Sequence, residues 1–120
     1  MGEGAKAFCR SLQSIMWEKG GIIRSADGLN GALARIEELQ TLSKKCRAKN
    51  PLQLMRRLDL HNMLQVSEMV CKAALYRAES RGAHYRSDCP RERNPEWQKN
   101  ILIRKEDGQK MTLEAVRTVH

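Results

Sequence analysis

Apolar positions recur at helical spacing through the first two-thirds of the chain. Ala5, Phe8, Cys9, Leu12, Ile15 and Met16 fall at i, i+3, i+4 intervals and predict one apolar stripe on a first helix. Gly20-Gly21 ends it, because glycine readily takes the left-handed conformation that caps a helix. Ile22 and Ile23 cross a short connection, and Ser25 or Asp27 can cap the next helix. This second helix carries Leu29, Ala32, Leu33, Ile36, Leu39 and Leu42 on one face, with Arg35, Glu37, Glu38 and Lys45 on the other. It ends near Asn50-Pro51. The third helix is the longest and is predicted from Pro51 or Leu52 to about Glu79. Its stripe is broad: Leu60, Met63, Leu64, Ser67, Val70, Cys71, Ala74, Leu75 and Ala78. That width suits a helix packed against two neighbours, and Pro51 fits the first turn.

Past Ala78 the periodicity stops. "SRGAHYRSDCPRERNPEW" has a glycine, two prolines and many charges, and reads as irregular chain. "NILIRKEDGQKMTLEAV" then alternates in the manner of strands, with Asp107-Gly108 as a turn signal. Ile101 and Ile103 lie on one strand, and Met111, Leu113 and Ala115 line the returning one. The expected fold class is all-α: an antiparallel three-helix bundle over residues 1–81, then an extended tail over 82–120 with a β-hairpin at 100–117.

Composition supports helices. Aromatic residues make up 4 % of the 120 residues, so Leu, Ile, Val, Met and Ala must build the core. No apolar run approaches the roughly 20 residues that span a bilayer, and the N-terminus lacks a signal-peptide pattern. A soluble, cytoplasmic chain is the expectation. The four cysteines, Cys9, Cys46, Cys71 and Cys89, are too widely spaced for a zinc motif; Cys9 and Cys71 read as small buried hydrophobes. The formal net charge of +8 admits nucleic acid, an anionic membrane or an acidic partner. Lys44, Lys45, Arg47, Lys49, Arg56 and Arg57 form an acid-free basic run around the second turn. No aromatic interleaves there for base stacking, so a solvated loop is the plainer reading.

Glycines form neither a dinucleotide fingerprint nor a P-loop, and no βαβ unit surrounds them. Ser80, His84 and Asp88 have i, i+4, i+8 spacing, but Gly82 and Pro90 argue against a helix that would align them. His61 reads as structural or exposed. Trp17 and Trp97 are expected to cover apolar surface, and Trp97 needs a groove here or on a partner. Glu79, Arg81, His84, Arg86 and Asp88 crowd around Gly82. Two readings are open for this cluster: a helix end docked through a hydrogen-bonded network, or a solvated tail.

"ESRGAHYRSDCPRERNPEW" resembles the signature near the C-terminus of the succinate dehydrogenase and fumarate reductase flavoprotein family, shared closely by L-aspartate oxidase and more loosely by adenylylsulfate reductase. "LQSIMWEKGGIIRSADGLNGALARIEEL" and "LDLHNMLQVSEMVCKAALYRAESRG" resemble that family's preceding helices, so the likeness covers nearly the whole chain. It implies a spectrin-like three-helix bundle that is the non-catalytic C-terminal domain of an FAD-dependent oxidoreductase. The FAD and the dicarboxylate chemistry would belong to preceding FAD-binding and capping domains. These are the implied partners, with an iron-sulfur subunit of the parent complex beyond them. This chain would hold no cofactor or metal and supply no catalytic residue. Glu79, Ser80, Arg81, Gly82, Ala83, His84, Arg86 and Asp88 match the signature, and the resemblance implies domain docking for them. Trp97 is expected to join them. Departures are Cys89, where the family often has an aromatic residue, and Arg93-Asn94-Pro95, which replaces an acidic pair. The implied location is the cytoplasm, or the cytoplasmic face of a membrane through the parent complex. No nucleic acid and no direct membrane insertion are expected. Separated from a parent, the domain would expose a docking face and could self-associate. The alternative is a free-standing basic helical module that binds nucleic acid or an acidic protein.

Overall fold

The computed structural model describes residues 2–21, 23–45, 47–93, 96–105 and 111–117. Side chains before Ala7 lie outside the description, as do Ile22, Cys46, Asn94-Pro95, the expected Asp107-Gly108 turn and His120.

Three helices account for most of the chain: α1 (Gly2–Lys19), α2 (Ala26–Ser43) and α3 (Pro51–Tyr76). Each packs on the other two. Their shared core is Leu12, Leu29, Ala32, Ile36, Leu39, Leu60, Leu64, Cys71 and Ala74, flanked by Phe8, Cys9, Ile15, Met16, Leu33, Met63 and Leu75. Burial of each large aliphatic side chain contributes roughly 1.5–3 kcal/mol. Sulfur fills the α1–α3 contact, where Cys71 Sγ lies 3.7 Å from Met16 Sδ. Gln40 of α2 donates to Glu68 of α3 at 2.9 Å, and Lys72 holds the same carboxylate at 2.6 Å.

Local chemistry sets the helix boundaries. Ser25 is the N-cap of α2 and its Oγ accepts from Gly28 N–H at 3.1 Å. Asn50 caps α3 in the same way, through Gln53 N–H at 2.9 Å, with Pro51 in the first turn. Gly20 and Gly21 do end α1, but neither takes the expected left-handed conformation. A Cβ on Gly21 would lie 2.5 Å from the Trp17 carbonyl oxygen, so close approach is what requires glycine there. α3 stops at Tyr76, short of the predicted Glu79, because Arg77 turns to extended backbone (φ −80°, ψ 95°).

The described chain is mostly helical, but all-α needs correction, for two small sheets accompany the helices. The short strands β1 (Ile23–Arg24) and β2 (Tyr85–Arg86) pair in parallel, joining the α1–α2 connection to the segment after α3. Strands this short carry no readable periodicity. The expected hairpin is present as β3 (Lys99–Lys105) antiparallel to β4 (Met111–Arg117). Its register puts Ile101 opposite Ala115, Ile103 opposite Leu113 and Lys105 opposite Met111. The two strands alternate between half-buried and exposed positions, and β3 lies against α3. That contact supplies the support a lone hairpin lacks.

Candidate functional site

The chemistry of the chain concentrates where α3 ends. The last carbonyls of a helix have no partner inside it and carry the negative end of its dipole. Arg86, reached by way of β2, supplies the missing donors. Its guanidinium donates to the carbonyls of Leu75 at 2.8 Å, Arg77 at 3.2 Å and Ala74 at 3.4 Å. The same side chain forks onto Asp88, with Nε 3.1 Å and Nη2 2.5 Å from the two carboxylate oxygens. Arg86 is 4 % exposed. Asp88 stands at the start of α2, where the Ala26 N–H also favours its charged form. The Arg86 hydrogen bonds, above all, hold this carboxyl below its usual range. One ion pair thus joins the negative end of α3 to the positive end of α2.

Glu79 forms a second centre. Its carboxylate is fully buried and accepts from Arg77 Nη1 at 2.6 Å, Arg81 Nε at 2.9 Å and the Arg93 N–H at 2.8 Å. Burial pushes this carboxyl upward; the hydrogen bonds from Arg81, the Arg93 N–H and Arg77 outweigh burial and hold it below the ordinary range. Arg81 also reaches Glu92 at 2.7 Å. Arg77 extends the network to the hairpin by donating to the carbonyls of Trp97 at 2.9 Å and Lys99 at 2.5 Å. Its guanidinium lies 5.4 Å from the Trp97 ring centroid, and Tyr76 meets that ring edge-on at 5.6 Å. The groove that Trp97 needed is therefore on its own chain.

Ser80 pins the loop between these centres. Its hydroxyl donates to the Cys89 carbonyl at 2.7 Å and accepts from the Arg86 N–H at 2.9 Å. Arg81 and His84 close a turn through paired backbone hydrogen bonds of 2.8 and 3.0 Å. Gly82 stands in it at φ +59°, where a side chain would be strained. His84 faces β1: Arg24 donates to Nδ1 at 2.9 Å, and Nε2–H donates to the Arg77 carbonyl at 3.3 Å. That arrangement needs a neutral ring. Burial lowers the His84 pKa, and the charges of Arg24, Arg77 and Arg86 lower it further against the Arg77 carbonyl bond.

Ser80, His84 and Asp88 do not converge into a triad. The serine hydroxyl is bonded to backbone, the imidazole to Arg24 and Arg77, and the carboxylate to Arg86. Sequence reasoning missed Arg24, Arg77 and the Arg93 N–H, which complete the network. Arg24 is the nearest to legible, since it adjoins the Gly-Gly break, but its partner lies 60 residues away. Trp17, expected to cover apolar surface, is 80 % exposed. His61 is exposed on α3, Cys71 is buried and Cys9 is half-buried. Burial raises both thiols. Among the described residues no group of three His, Cys, Asp or Glu side chains could hold a metal, and no helix is long and apolar enough to cross a membrane.

The family model described as fumarate reductase flavoprotein C-term matches residues 9–120. The chain belongs to that family. An uncharacterized FAD-dependent oxidoreductase of Methanocaldococcus jannaschii is 43 % identical over 103 residues, covering 86 % of this chain and 18 % of that protein. A CoM/CoB fumarate reductase chain of Methanothermobacter marburgensis is 38 % identical over 96 residues, covering 77 % of this chain and 17 % of its own length. In the Mycobacterium smegmatis Sdh1 complex, one chain superposes with a TM-score of 0.86 at 29 % identity, over 94 % of this chain and 20 % of that one. The chain spans about a fifth of the length of the curated relatives it matches. It is a C-terminal domain of the succinate dehydrogenase and fumarate reductase flavoprotein type. This reading is favoured over the free-standing basic module.

Among the described residues of this fumarate reductase flavoprotein C-terminal domain, the strand-to-helix step from β1 into α2 does not fit the pyrophosphate of FAD, because it is already filled. Ser25 caps α2, a Cβ at Gly28 would meet Ser25 Oγ at 3.1 Å, and the Asp88 carboxylate takes the place of an anion beside Ala26.

Proposed function

We propose that this chain serves as the docking domain of an FAD-dependent flavoprotein that passes a hydride between flavin and a dicarboxylate such as succinate or fumarate. The family match over residues 9–120 carries this reading. FAD would be held by the parent's flavin-binding domain, and that domain and the capping domain are the direct partners. An iron-sulfur subunit of the parent complex and a cytoplasmic location, free or at the cytoplasmic face of a membrane, belong to the same proposal. The domain itself divides into a bundle at 1–81 and a tail at 82–120. Short connections between helices that all pack together support an antiparallel arrangement of α1, α2 and α3.

Within it, Glu79, Ser80 and Arg86 fix the shape of the seam from inside. Arg81, Gly82 and Asp88 present it outward, and the half-buried His84 and Trp97 back them. Arg81 and Asp88 keep about a third of their side-chain surface exposed while paired. Beside them, Ile23 and Tyr85 stand next to each other in the β1–β2 pair at 65 % and 42 % exposure. Exposed apolar side chains bordering a rigid polar network are what a domain-docking face requires.

A chimera tests the proposal. Residues 9–120 replace the matched region of the Methanocaldococcus relative, and flavin absorbance is recorded after purification. The chimera is expected to retain FAD, while the 120-residue chain alone, mixed with FAD and desalted, retains none. Flavin held tightly by the chain alone contradicts the reading.

A further inference from the structure

The first two turns of α3 behave unlike the rest of the bundle. No residue from Pro51 to Asp59 is buried, and the first buried position of the helix is Leu60. Yet Leu52, Leu54, Met55 and Leu58 lie there, between 47 % and 61 % exposed. At 3.6 residues per turn these four occupy an arc of about 160°. The arc points directly away from Leu60, Leu64 and Cys71, which face the core. Arg57 borders it on one side and Arg56 on the other. Asp59 and Asn62 close it toward the third turn.

Charge follows the same outline. No acid occurs between Glu38 and Asp59, while Lys44, Lys45, Arg47 and Lys49 occupy the connection that leads into α3. A shallow concavity of roughly 570 Å³ brings Arg47, Lys49 and Arg57 around Leu54. The result is an apolar helix face edged by cations at the end of the bundle.

We propose that this end of the bundle is a peripheral docking surface for an anionic phospholipid bilayer. The inference does not depend on a docking role for the other end of α3. A second copy is opposed by charge, because six cations would face six cations. Nucleic acid is disfavoured because a phosphate backbone would use the cations but leave the four exposed aliphatic side chains in water. A folded acidic protein fits less well, since a stable interface needs about 800 Å² per partner and is anchored by Trp, Tyr and Arg more than by Leu. A lipid surface needs only shallow insertion of aliphatic side chains together with nearby cations. Leucine and methionine between long, flexible basic side chains meet that need.

The test uses the 120-residue chain and extruded vesicles at about 0.15 M salt. One set is three parts phosphatidylglycerol to seven parts phosphatidylcholine; the other is phosphatidylcholine alone. The chain is expected to sediment with the first set and not with the second. Arg56→Gln with Arg57→Gln should weaken partitioning about 25-fold, near fivefold per charge. Leu54→Ser with Met55→Ser should weaken it about tenfold while leaving helical circular dichroism unchanged. Hydrogen exchange of the unaltered chain should slow on vesicle binding at residues 51–58 and not at 77–93, a readout that needs no variant. No sedimentation with the anionic vesicles overturns the proposal. So does full binding by the Leu54→Ser, Met55→Ser variant, the outcome expected if an acidic protein or nucleic acid is the true partner.

Discussion

Replacing Arg86 by methionine keeps the aliphatic stem and removes the guanidinium. The loss can be sized from its partners. The Arg77 carbonyl keeps other donors in the Glu79 N–H at 2.9 Å and His84 at 3.3 Å, and the Ala74 contact is long at 3.4 Å. What disappears is the short bond to Leu75, a hydrogen bond to a charged group worth about 1.5–3 kcal/mol. The pair with Asp88 adds about 1 kcal/mol, discounted because Asp88 is a third exposed. The sum is about 2.5–4 kcal/mol, a large fraction of the roughly 5–15 kcal/mol that holds a domain of this kind together. Urea unfolding followed by far-ultraviolet circular dichroism measures it. Arg86→Lys should recover less than half, because an ammonium cannot fork onto Asp88 and reach Leu75 together. Arg104→Ala is the control: its 3.7 Å pair with Glu114 is exposed and should cost less than about 0.5 kcal/mol. A loss under about 1 kcal/mol for Arg86→Met would refute the argument that this side chain caps α3.

Acid should destabilise the domain in two stages. His84 has a lowered pKa in the folded chain, so the unfolded chain takes up more protons as pH falls through the imidazole range. Stability is full near pH 7.5 and declines toward pH 5, and His84→Gln should flatten that slope in urea titrations. Glu79, also lowered, adds a second loss below the ordinary carboxylate range. Gly31→Ala places a Cβ in open space on exposed helix and should raise stability by about 0.5–1 kcal/mol. Gly82→Ala also meets no atom, yet its φ of +59° should make it cost about 1–2 kcal/mol; equal effects at the two sites would contradict the strain argument.

The helices were legible because their information is local. Periodicity locates α1, α2 and α3, Ser25 is one of the two caps the sequence offers for α2, and Pro51 marks the start of the longest helix. The hairpin strands were legible for the same reason, down to the half-buried alternation of Ile101, Ile103, Leu113 and Ala115. The β1–β2 pair was not. Two residues hold no period, and the partners are separated by some 60 positions, as Ile23 and Tyr85 are. The crowding of charge around Gly82 was visible in the sequence, but the identities of the partners were not. Arg77 serves Glu79, Trp97 and Lys99 only because α3 ends at Tyr76, three positions short of the predicted Glu79. Likewise, Arg24 meets His84 only once the parallel pair has formed. Sequence alone also left open whether the network faced a partner or closed on its own chain. Among its described members, Glu79, Ser80 and Arg86 spend their hydrogen bonds within the chain.

The central claim is that this domain contributes assembly and not chemistry. Arg81→Ala in a chimera in which this domain replaces the matched region of the Methanothermobacter fumarate reductase chain addresses it most directly, because Arg81 joins Glu79 to Glu92 at the exposed edge of the network. Flavin content and dicarboxylate turnover are measured on the same preparation. The account predicts that flavin content falls while turnover per bound flavin stays within about twofold of the parent chimera, a difference of about 0.4 kcal/mol in barrier. A variant that binds FAD normally and is catalytically dead would contradict it.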